Sequence, residues 1–346
     1  MIHKSPRRAA ATIALLTLAT SACSHPKTLD LHMATQIDQL TQRPPDGVVV
    51  VEGRRVTYAQ YGDPEGDVVF YFSGGDSSRL EGAALEGHAR ALRVRVIAPD
   101  RPGFGGSDPA PTRRLLDWPR DVAAIASQLK IRRFGVIALS GGAPHGLATA
   151  WAMPERITTL VLVGAAPAPP FAALATDIAL PFRLVAKLAD WSPWALRKLL
   201  EQQRSLAHVD PAKLLRQTRG GVGAADAAYL AVHGGAYVAS KRLGYAQGVS
   251  GSVTEHLLYR RDWGFRVEEI RVQTKVFVGD NDVMASMAAN RALAAAIPDA
   301  SFHVVAGEGH LSLVPNQADR LLRAAAPSGP TDAPSSVSRL APFSGR

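Results

Sequence analysis

The sequence predicts an α/β fold with a mostly parallel, doubly wound sheet, and two observations support this prediction. Short apolar runs, of the kind that a parallel sheet buries, alternate with helical stretches along the chain. Polar residues suited to chemistry come just after several of these runs, at the end of the sheet where open α/β proteins place their sites. The predicted parallel strands are Val68–Phe72, Val94–Ala98, Phe134–Ala138, Ile157–Val163, Lys275–Val278 and Phe302–Val305. The predicted helices are roughly Leu116–Leu129, Ala143–Ala152, Ala285–Ala296 and Asn316–Ala325.

An antiparallel hairpin is expected before the parallel strands. Its two strands are the apolar runs Val48–Val51 and Val56–Tyr61, which are joined through Gly53. The chain of 346 residues is 47% hydrophobic and 20% charged, which is the balance of an ordinary folded enzyme. One large domain over residues 47–325 follows from these observations, and its size is sufficient for a stable core.

A serine between a strand and a helix is the first candidate for chemistry. The apolar run that begins at Phe134 ends at Ser140, and an Ala-rich helical stretch follows. The residues two before and two after the serine are small, Ala138 and Gly142, as a tight strand–turn–helix elbow requires. This pattern predicts that Ser140 is an exposed nucleophile. His145, on the helix of the elbow, is expected to line the back of a pocket or to pack.

An acid and a histidine follow the serine in the chain order Ser, Asp, His. Asp282 is the candidate acid, because a residue four into the turn after its strand can reach inward. Asp280 is its rival, directly at the strand end. His310 is the candidate base because it lies on a loop flanked by glycine, whereas its rival His303 lies inside a strand.

A second serine, Ser73, also follows an apolar run and precedes two glycines. Tyr71, two residues before it, is too bulky for a tight elbow, and no clear helix follows. The segment is better suited to supply a donor to an oxyanion hole. In folds of this kind, the loop after the first parallel strand donates one backbone N–H, and the residue after the nucleophile donates another. We therefore expect the backbone N–H groups of Gly75 and Gly141 to form the hole.

These motifs together resemble the α/β-hydrolase superfamily, and in particular bacterial serine hydrolases with a cap inserted after the sixth strand. The segment from Val96 to Ser107, VIAPDRPGFGGS, resembles the strand-four turn of that group, and Trp263-Gly-Phe265 precedes the strand that leads to the acid. The resemblance runs from about residue 48 to about residue 325. One departure is Ser73, where the group usually has a histidine that orders the oxyanion loop.

The resemblance also implies a helical cap over about residues 165–261, where the strand–helix alternation stops. Amphipathic runs in this region predict helices. Its large apolar side chains are expected either to line a hydrophobic pocket or to join the helices of the cap to one another. These side chains are Phe171, Phe182, Trp191 and Trp194.

The activity implied by the triad is hydrolysis of a carboxylic ester, thioester or lactone through an acyl-enzyme on Ser140, with a small acyl compound as substrate and no metal or organic cofactor. A serine at this position excludes the aspartate nucleophile of related epoxide-opening and dehalogenating enzymes. Two alternatives remain open. The same triad can serve an aminopeptidase, a carbon–carbon bond hydrolase or a perhydrolase, and the fold can also serve a non-catalytic, lipid-tethered binding protein.

The N-terminus has the features of an export signal. Residues 1–22 combine a basic start, an apolar stretch too short to span a bilayer, and small residues before Cys23. Cys23 is the only cysteine and lies where a bacterial lipoprotein carries its lipid, so we expect a protein anchored at the outer face of the cell membrane or envelope. Arg7-Arg8 leaves the twin-arginine route open beside the general one. Translation from Met33 would instead give a cytoplasmic protein.

The remaining segments and charges narrow the list of partners. Residues 23–46 are expected to form a polar tether and residues 326–346 a disordered tail. The net charge of +9 falls by three if the leader is removed, and the remaining basic residues are scattered. Because the sequence has no long basic run and no interleaved aromatic residues, we expect no nucleic acid partner. It makes no prediction about the oligomeric state.

Overall fold

A computed structural model describes residues 31–167 and 169–326. They form an eight-stranded sheet in the order β1-β2-β4-β3-β5-β6-β7-β8, which confirms the predicted fold class. All neighbouring strands from β4 through β8 in that order pair in parallel. The strands are β1 (Gly47–Val51), β2 (Arg54–Gly62), β3 (Asp67–Phe72), β4 (Val94–Pro99), β5 (Phe134–Leu139), β6 (Ile157–Val163), β7 (Thr274–Gly279) and β8 (Ala300–Val305).

The predicted N-terminal hairpin is present as β1 and β2, and β2 also pairs antiparallel with β4. Its two-residue turn is Glu52-Gly53, with φ of 49° and 79°. Positive φ at both positions is the geometry of the hairpin turn that matches the natural twist of the strands. The hairpin thus extends the sheet at the edge farthest from β7 and β8.

Helices cover both faces of the sheet, because successive residues of each buried strand point to opposite sides. Phe70 and Phe72 pack on the face that is covered by α3, α4 and α10. Tyr71 and Val69 pack on the other face, against α2, α11 and α12. These helices are α2 (Glu86–Ala91), α3 (Trp118–Gln128), α4 (Ala143–Ala152), α10 (Met287–Ala296), α11 (Leu313–Asn316) and α12 (Ala318–Ala325).

Five further α-helices lie between β6 and β7 in the described part of the chain, and we call them the helical insertion. They are α5 (Leu180–Trp191), α6 (Pro193–Val209), α7 (Pro211–Gly221), α8 (Ala224–Gly244) and α9 (Ser250–Arg260). Their apolar sides form a core of their own, separate from the two faces of the sheet. Proline at the start of α5, α6 and α7 suits these helices, since the first turn needs no N–H donor at that position.

The expected tether over residues 23–46 is wrong for residues 31–41. This segment forms α1 (Leu31–Thr41), which packs along α8. Ile37 is fully buried in the core of the helical insertion, and Asp38 forms an ion pair with Arg242 at 2.7 Å. The polar composition of this segment hid a helix with a single apolar stripe. The predicted leader, Cys23 and the predicted tail lie outside the described residues.

The tryptophans of the helical insertion have neither of their two expected roles. Trp191 is 75% exposed and Trp194 is 65% exposed, at the corner between α5 and α6. Lys187 lies over the ring of Trp191 at 5.5 Å. Within the described residues, no helix is both long enough and apolar enough to cross a bilayer.

Candidate active site

Ser140 lies in a strained turn at the carboxyl end of β5. Its φ is 51°, a left-handed conformation that a serine adopts only when its surroundings impose it. The turn Ser140–Gly142 leads directly into α4. A side chain at Gly142 would collide with the carbonyl group of Phe72 on β3. The small residue that the sequence pattern required is therefore a consequence of close backbone packing at the turn.

His310 and Asp282 are in direct contact. Nδ1 of His310 donates to Oδ2 of Asp282 at 2.8 Å, and both side chains are buried. The other oxygen of Asp282 accepts the backbone N–H groups of Met284 and Ala285 at 2.7 and 2.8 Å. These bonds fix the carboxylate, so that one oxygen remains directed at the histidine.

The two rival residues lie elsewhere. Asp280 accepts the N–H of Gly307 at 2.8 Å and so joins the loops after β7 and β8. His303 stacks on Phe277 on the sheet, with a centroid separation of 4.6 Å. Neither has a contact with Asp282 or His310 among the hydrogen bonds of the described chain.

Ser140 reaches the same edge of the sheet as this pair. Gly164, at the end of β6, has φ of 50°, and a Cβ on it would lie 2.9 Å from Nδ1 of His310 and 3.0 Å from Oδ2 of Asp282. Two residues further on, Ala166 donates its N–H to the carbonyl of Ser140 at 3.1 Å. In the described part of the chain no hydrogen bond joins the hydroxyl of Ser140 to the ring of His310. Bonds of this kind often tighten only when a substrate is bound.

The pKa of His310 is raised by its acidic neighbours. Burial lowers this pKa, but the charge and hydrogen bond of Asp282 outweigh burial, and the charges of Asp226 and Glu81 act in the same direction. The net result is a pKa above the usual histidine value. The ring is therefore suited to take up a proton and to remain protonated beside the Asp282 carboxylate.

Asp226, on α8, was not identified from the sequence. Its buried carboxylate accepts three successive backbone N–H groups of the histidine loop, those of His310, Leu311 and Ser312, at 2.8–2.9 Å. Gly309 lies so close that a side chain there would collide with the carboxylate. An aspartate in the first turn of a helix is usually an exposed residue, so no local signal marked Asp226.

The loop after β3 lies beside the turn of Ser140. Gly74 donates its N–H to Oε2 of Glu81 at 2.7 Å, so this donor is already engaged. The nitrogen of Gly75 lies 3.0 Å from the point where a Cβ on Gly141 would be. The two glycines that the sequence suggested as oxyanion donors are thus neighbours. Lys241 of α8 holds the carbonyl of Gly75 at 3.0 Å.

His145 is fully buried behind the turn. Its ring packs edge-on between Trp118 and Tyr259, at 5.6 and 6.4 Å between centroids. Burial lowers its pKa to about 3, so the ring is neutral in ordinary buffers. Nδ1 of His145 also lies 3.2 Å from the carbonyl oxygen of Gly141, so the ring both packs behind the turn and contacts its backbone. The described residues contain no group of three or more His, Cys, Asp or Glu side chains arranged to hold a metal ion.

Comparison with known proteins agrees with this architecture. The family model of the alpha/beta hydrolase fold matches residues 74–317, and the chain therefore belongs to this family. It is an enzyme of the hydrolase type. The uncharacterized hydrolase YcgS of Bacillus subtilis (strain 168) is 36% identical over 70 residues. That match covers 20% of this chain and only 25% of the relative.

Solved structures share the fold across most of the chain. The enol-lactonase from Burkholderia xenovorans LB400 is 21% identical, with a TM-score of 0.57, over 80% of this chain and 97% of that one. The meta-cleavage product hydrolase from Pseudomonas fluorescens IP01 is also 21% identical, with a TM-score of 0.56, over 81% and 95% of the two chains. At such identities the likeness shows the fold alone.

Proposed function

We propose that this protein is a serine hydrolase that cleaves a carboxylic ester, thioester or lactone through an acyl-enzyme on Ser140. The proposed triad is Ser140, His310 and Asp282. The observation that carries the proposal is the buried contact between His310 and Asp282 at 2.8 Å, beside the strained turn of Ser140. A paired acid and histidine next to a serine is the arrangement that makes a hydroxyl nucleophilic.

In the first half of the reaction, Oγ of Ser140 attacks the substrate carbonyl carbon while Nε2 of His310 takes the hydroxyl proton. Asp282 stabilises the resulting imidazolium and holds the ring in the tautomer that leaves Nε2 free. The negative charge on the carbonyl oxygen is held by the N–H groups of Gly75 and Gly141. The tetrahedral intermediate then collapses, the bond to the leaving group breaks, and His310 gives its proton to that group.

In the second half, water attacks the acyl-enzyme. His310 accepts one proton from the water, the bond between Oγ of Ser140 and the acyl carbon breaks, and the serine recovers its proton from His310. The products are a carboxylic acid and an alcohol or thiol, whereas a lactone gives a single hydroxy acid. The likeness to the solved structures of an enol-lactonase and of a meta-cleavage product hydrolase supports the fold that this chemistry needs.

The test is covalent labelling with a fluorophosphonate, read by intact mass and by peptide mapping. We expect one adduct per chain, on Ser140, and none in Ser140→Ala. Ser73→Ala is the matched control, because Ser73 also ends a strand but lies in the oxyanion loop, and it should still be labelled on Ser140. A folded wild-type protein that forms no adduct, or an adduct elsewhere, would refute the proposed nucleophile.

We also propose export and lipid anchoring at Cys23, with the enzyme held at the outer face of a membrane. The leader and the position of the single cysteine support this proposal. The exposed pair Trp191 and Trp194, with Lys187 beside it, gives the helical insertion a surface suited to the boundary between lipid and water. Metabolic labelling with a palmitate analogue should mark the wild type and leave Cys23→Ser unmarked. Equal labelling of both would contradict the anchor.

A further inference from the structure

Arg101 is a fully buried cation two residues after the end of β4, with only 2% of its surface exposed. A buried charge is costly unless all its donors are used. Four polar partners surround this guanidinium, and two of them are consecutive carbonyl groups of the loop after β3. Nη1 donates to the carbonyl of Ser73 at 2.6 Å, and Nη2 donates to the carbonyl of Gly74 at 2.9 Å. The hydroxyl of Ser73 and the carboxylate of Glu255 complete the set.

The bond to Gly74 has a direct effect on the donor of Gly75. The carbonyl of Gly74 and the N–H of Gly75 belong to the same peptide unit, and the described residues contain no cis peptide bond. In a trans unit the C=O and N–H point in opposite directions. Since Arg101 holds the C=O on one side, the N–H of Gly75 is directed to the other side. A cation on the carbonyl also polarises the unit and makes its N–H a stronger donor.

The neighbouring peptide units are held in the same way. In the preceding peptide unit, the carbonyl of Ser73 accepts a hydrogen bond from Arg101, and the N–H of Gly74 donates to Glu81. In the following peptide unit, the carbonyl of Gly75 accepts a hydrogen bond from Lys241. Three successive carbonyls of the loop are therefore bound by cations, which fixes the orientation of the N–H of Gly75 between them.

Arg101 is itself held by the helical insertion. Glu255, on α9, pairs with it through two bonds, to Nε at 2.6 Å and to Nη2 at 3.0 Å. Tyr259 adds a hydrogen bond to the same carboxylate at 2.8 Å. Burial raises the pKa of Glu255, but the charges of Arg101 and Arg113 and the hydrogen bond from Arg101 outweigh burial and hold this pKa at about 2. The carboxylate is thus ionised, and it fixes the guanidinium in a planar, two-bond geometry that a lysine cannot reproduce.

We propose that Arg101, fixed by Glu255 of the helical insertion, is the positioning residue that aims the N–H of Gly75 at the carbonyl oxygen of the substrate. The inference rests on the proposed function and adds a role that neither the triad nor the hole residues supply. Arg101 touches no reacting atom. Arg101 acts through the loop after β3. Through Glu255 and Arg101, α9 therefore contributes to stabilising the negative charge of the intermediate.

The test is Arg101→Lys, which keeps a buried cation beside Glu255 but cannot hold both carbonyls in one plane. Sites are counted by fluorophosphonate labelling to completion, and hydrolysis of p-nitrophenyl acetate is then measured per labelled site. We expect kcat to fall about ten- to a hundredfold, less than the roughly 10²–10³-fold of losing one donor entirely, with KM changed less than threefold. A merely structural role would lower the number of sites and leave kcat per site unchanged.

Arg113→Lys is the matched control. Arg113 also approaches Glu255, at 3.4 Å, but its other hydrogen bond goes to the carbonyl of Ala110 rather than to the oxyanion loop. We expect kcat per site within twofold of wild type for this variant. Glu255→Gln is the second variant, to be used if Arg101→Lys does not fold, and it should lower kcat per site in the same direction as Arg101→Lys.

Two results would overturn the inference. One is a kcat per site within twofold of wild type in a folded Arg101→Lys or Glu255→Gln. The other is an equal loss in Arg113→Lys, which would show a general effect of the buried charges. Failure of the proposed function looks different, because the wild-type protein would then form no adduct on Ser140.

Discussion

The sheet and the helical insertion contribute different kinds of residue to the candidate site. The loops after β5, β7 and β8 carry the three groups proposed to react, Ser140, Asp282 and His310. The insertion carries none of them. Its polar residues instead hold the loops in place, Asp226 on the histidine loop and Lys241 on the oxyanion loop. The reacting groups thus come from one region, and much of their orientation from the other.

The sheet loops and the helical insertion should therefore respond differently to substitution. A change in the sheet loops removes a reacting group and should act on the chemical step directly. A change in the insertion leaves every reacting group present and should reduce catalysis only by loosening its geometry, which is costly because small misplacements slow a reaction strongly. The variants below separate these two effects, in order of decreasing expected size.

Asp282→Asn is expected to have the largest effect among these variants. An amide in this position favours the wrong tautomer of His310, and kcat should fall by about 10⁴. Asp280→Asn is the matched control, because this acid lies two residues away but bonds Gly307 instead of the histidine. Esterase kinetics on both variants check the prediction. Equal losses in both, or a larger loss in Asp280→Asn, would reverse the choice of acid.

Asp226→Asn should have an intermediate effect. The amide keeps one acceptor for three N–H groups of the histidine loop, so at least one of them loses its partner inside the protein. We expect kcat to fall about ten- to a hundredfold and the free energy of unfolding to fall by about 2–3 kcal/mol. Steady-state kinetics and urea unfolding measure the two quantities. The control is Asp210→Asn, which alters the insertion at the N-cap of α7, where asparagine is equally good.

The dependence of kcat/KM on pH gives a smaller effect with a defined sign. His310 must be neutral to accept the proton of Ser140, so activity is lost as pH falls through its pKa. Because that pKa is raised, the acidic limb should lie above the usual histidine value of about 6.5. Removing the charge of Asp226 should move the limb to lower pH. A limb that stays in place in Asp226→Asn would show that this carboxylate acts on the loop only mechanically.

Ile37→Ala should change activity least. This side chain of α1 is fully buried against the insertion, so its truncation should cost about 2–4 kcal/mol of stability through the cavity it leaves. Ile37 belongs to α1 and not to a loop of the site, and kcat per labelled site should stay within twofold of wild type. Thermal unfolding and site-normalised kinetics check both statements. A large loss of kcat would mean that α1 acts on the site through α8.

The sheet could be predicted from the sequence because its signals are local. Buried parallel strands are continuous apolar runs, and Phe134–Leu139 or Ile157–Val163 can be recognised without knowing their neighbours. The elbow at Ser140 was predictable for the same reason. The carbonyl of Phe72 lies so close to the turn that only glycine fits at position 142, and this glycine is visible in the sequence.

The residues that hold the loops could not be predicted, because their signals are not local. Asp226 is separated from His310 by 84 residues, and Arg101 from Glu255 by 154. Each reads in the sequence as an ordinary charge on a loop or helix, and only the fold shows that it is buried. The tryptophans of α5 and α6 show the opposite error. An aromatic residue in an amphipathic run is usually buried, but these two side chains are exposed.

Helix α8 contacts both halves of the proposed machinery. Asp226 lies in its first turn and Lys241 in its last, about 22 Å apart along the axis at 1.5 Å per residue. A displacement of this helix would release the histidine loop and the oxyanion loop together. The positions of the proposed base and of the proposed oxyanion donor are therefore coupled through one helix.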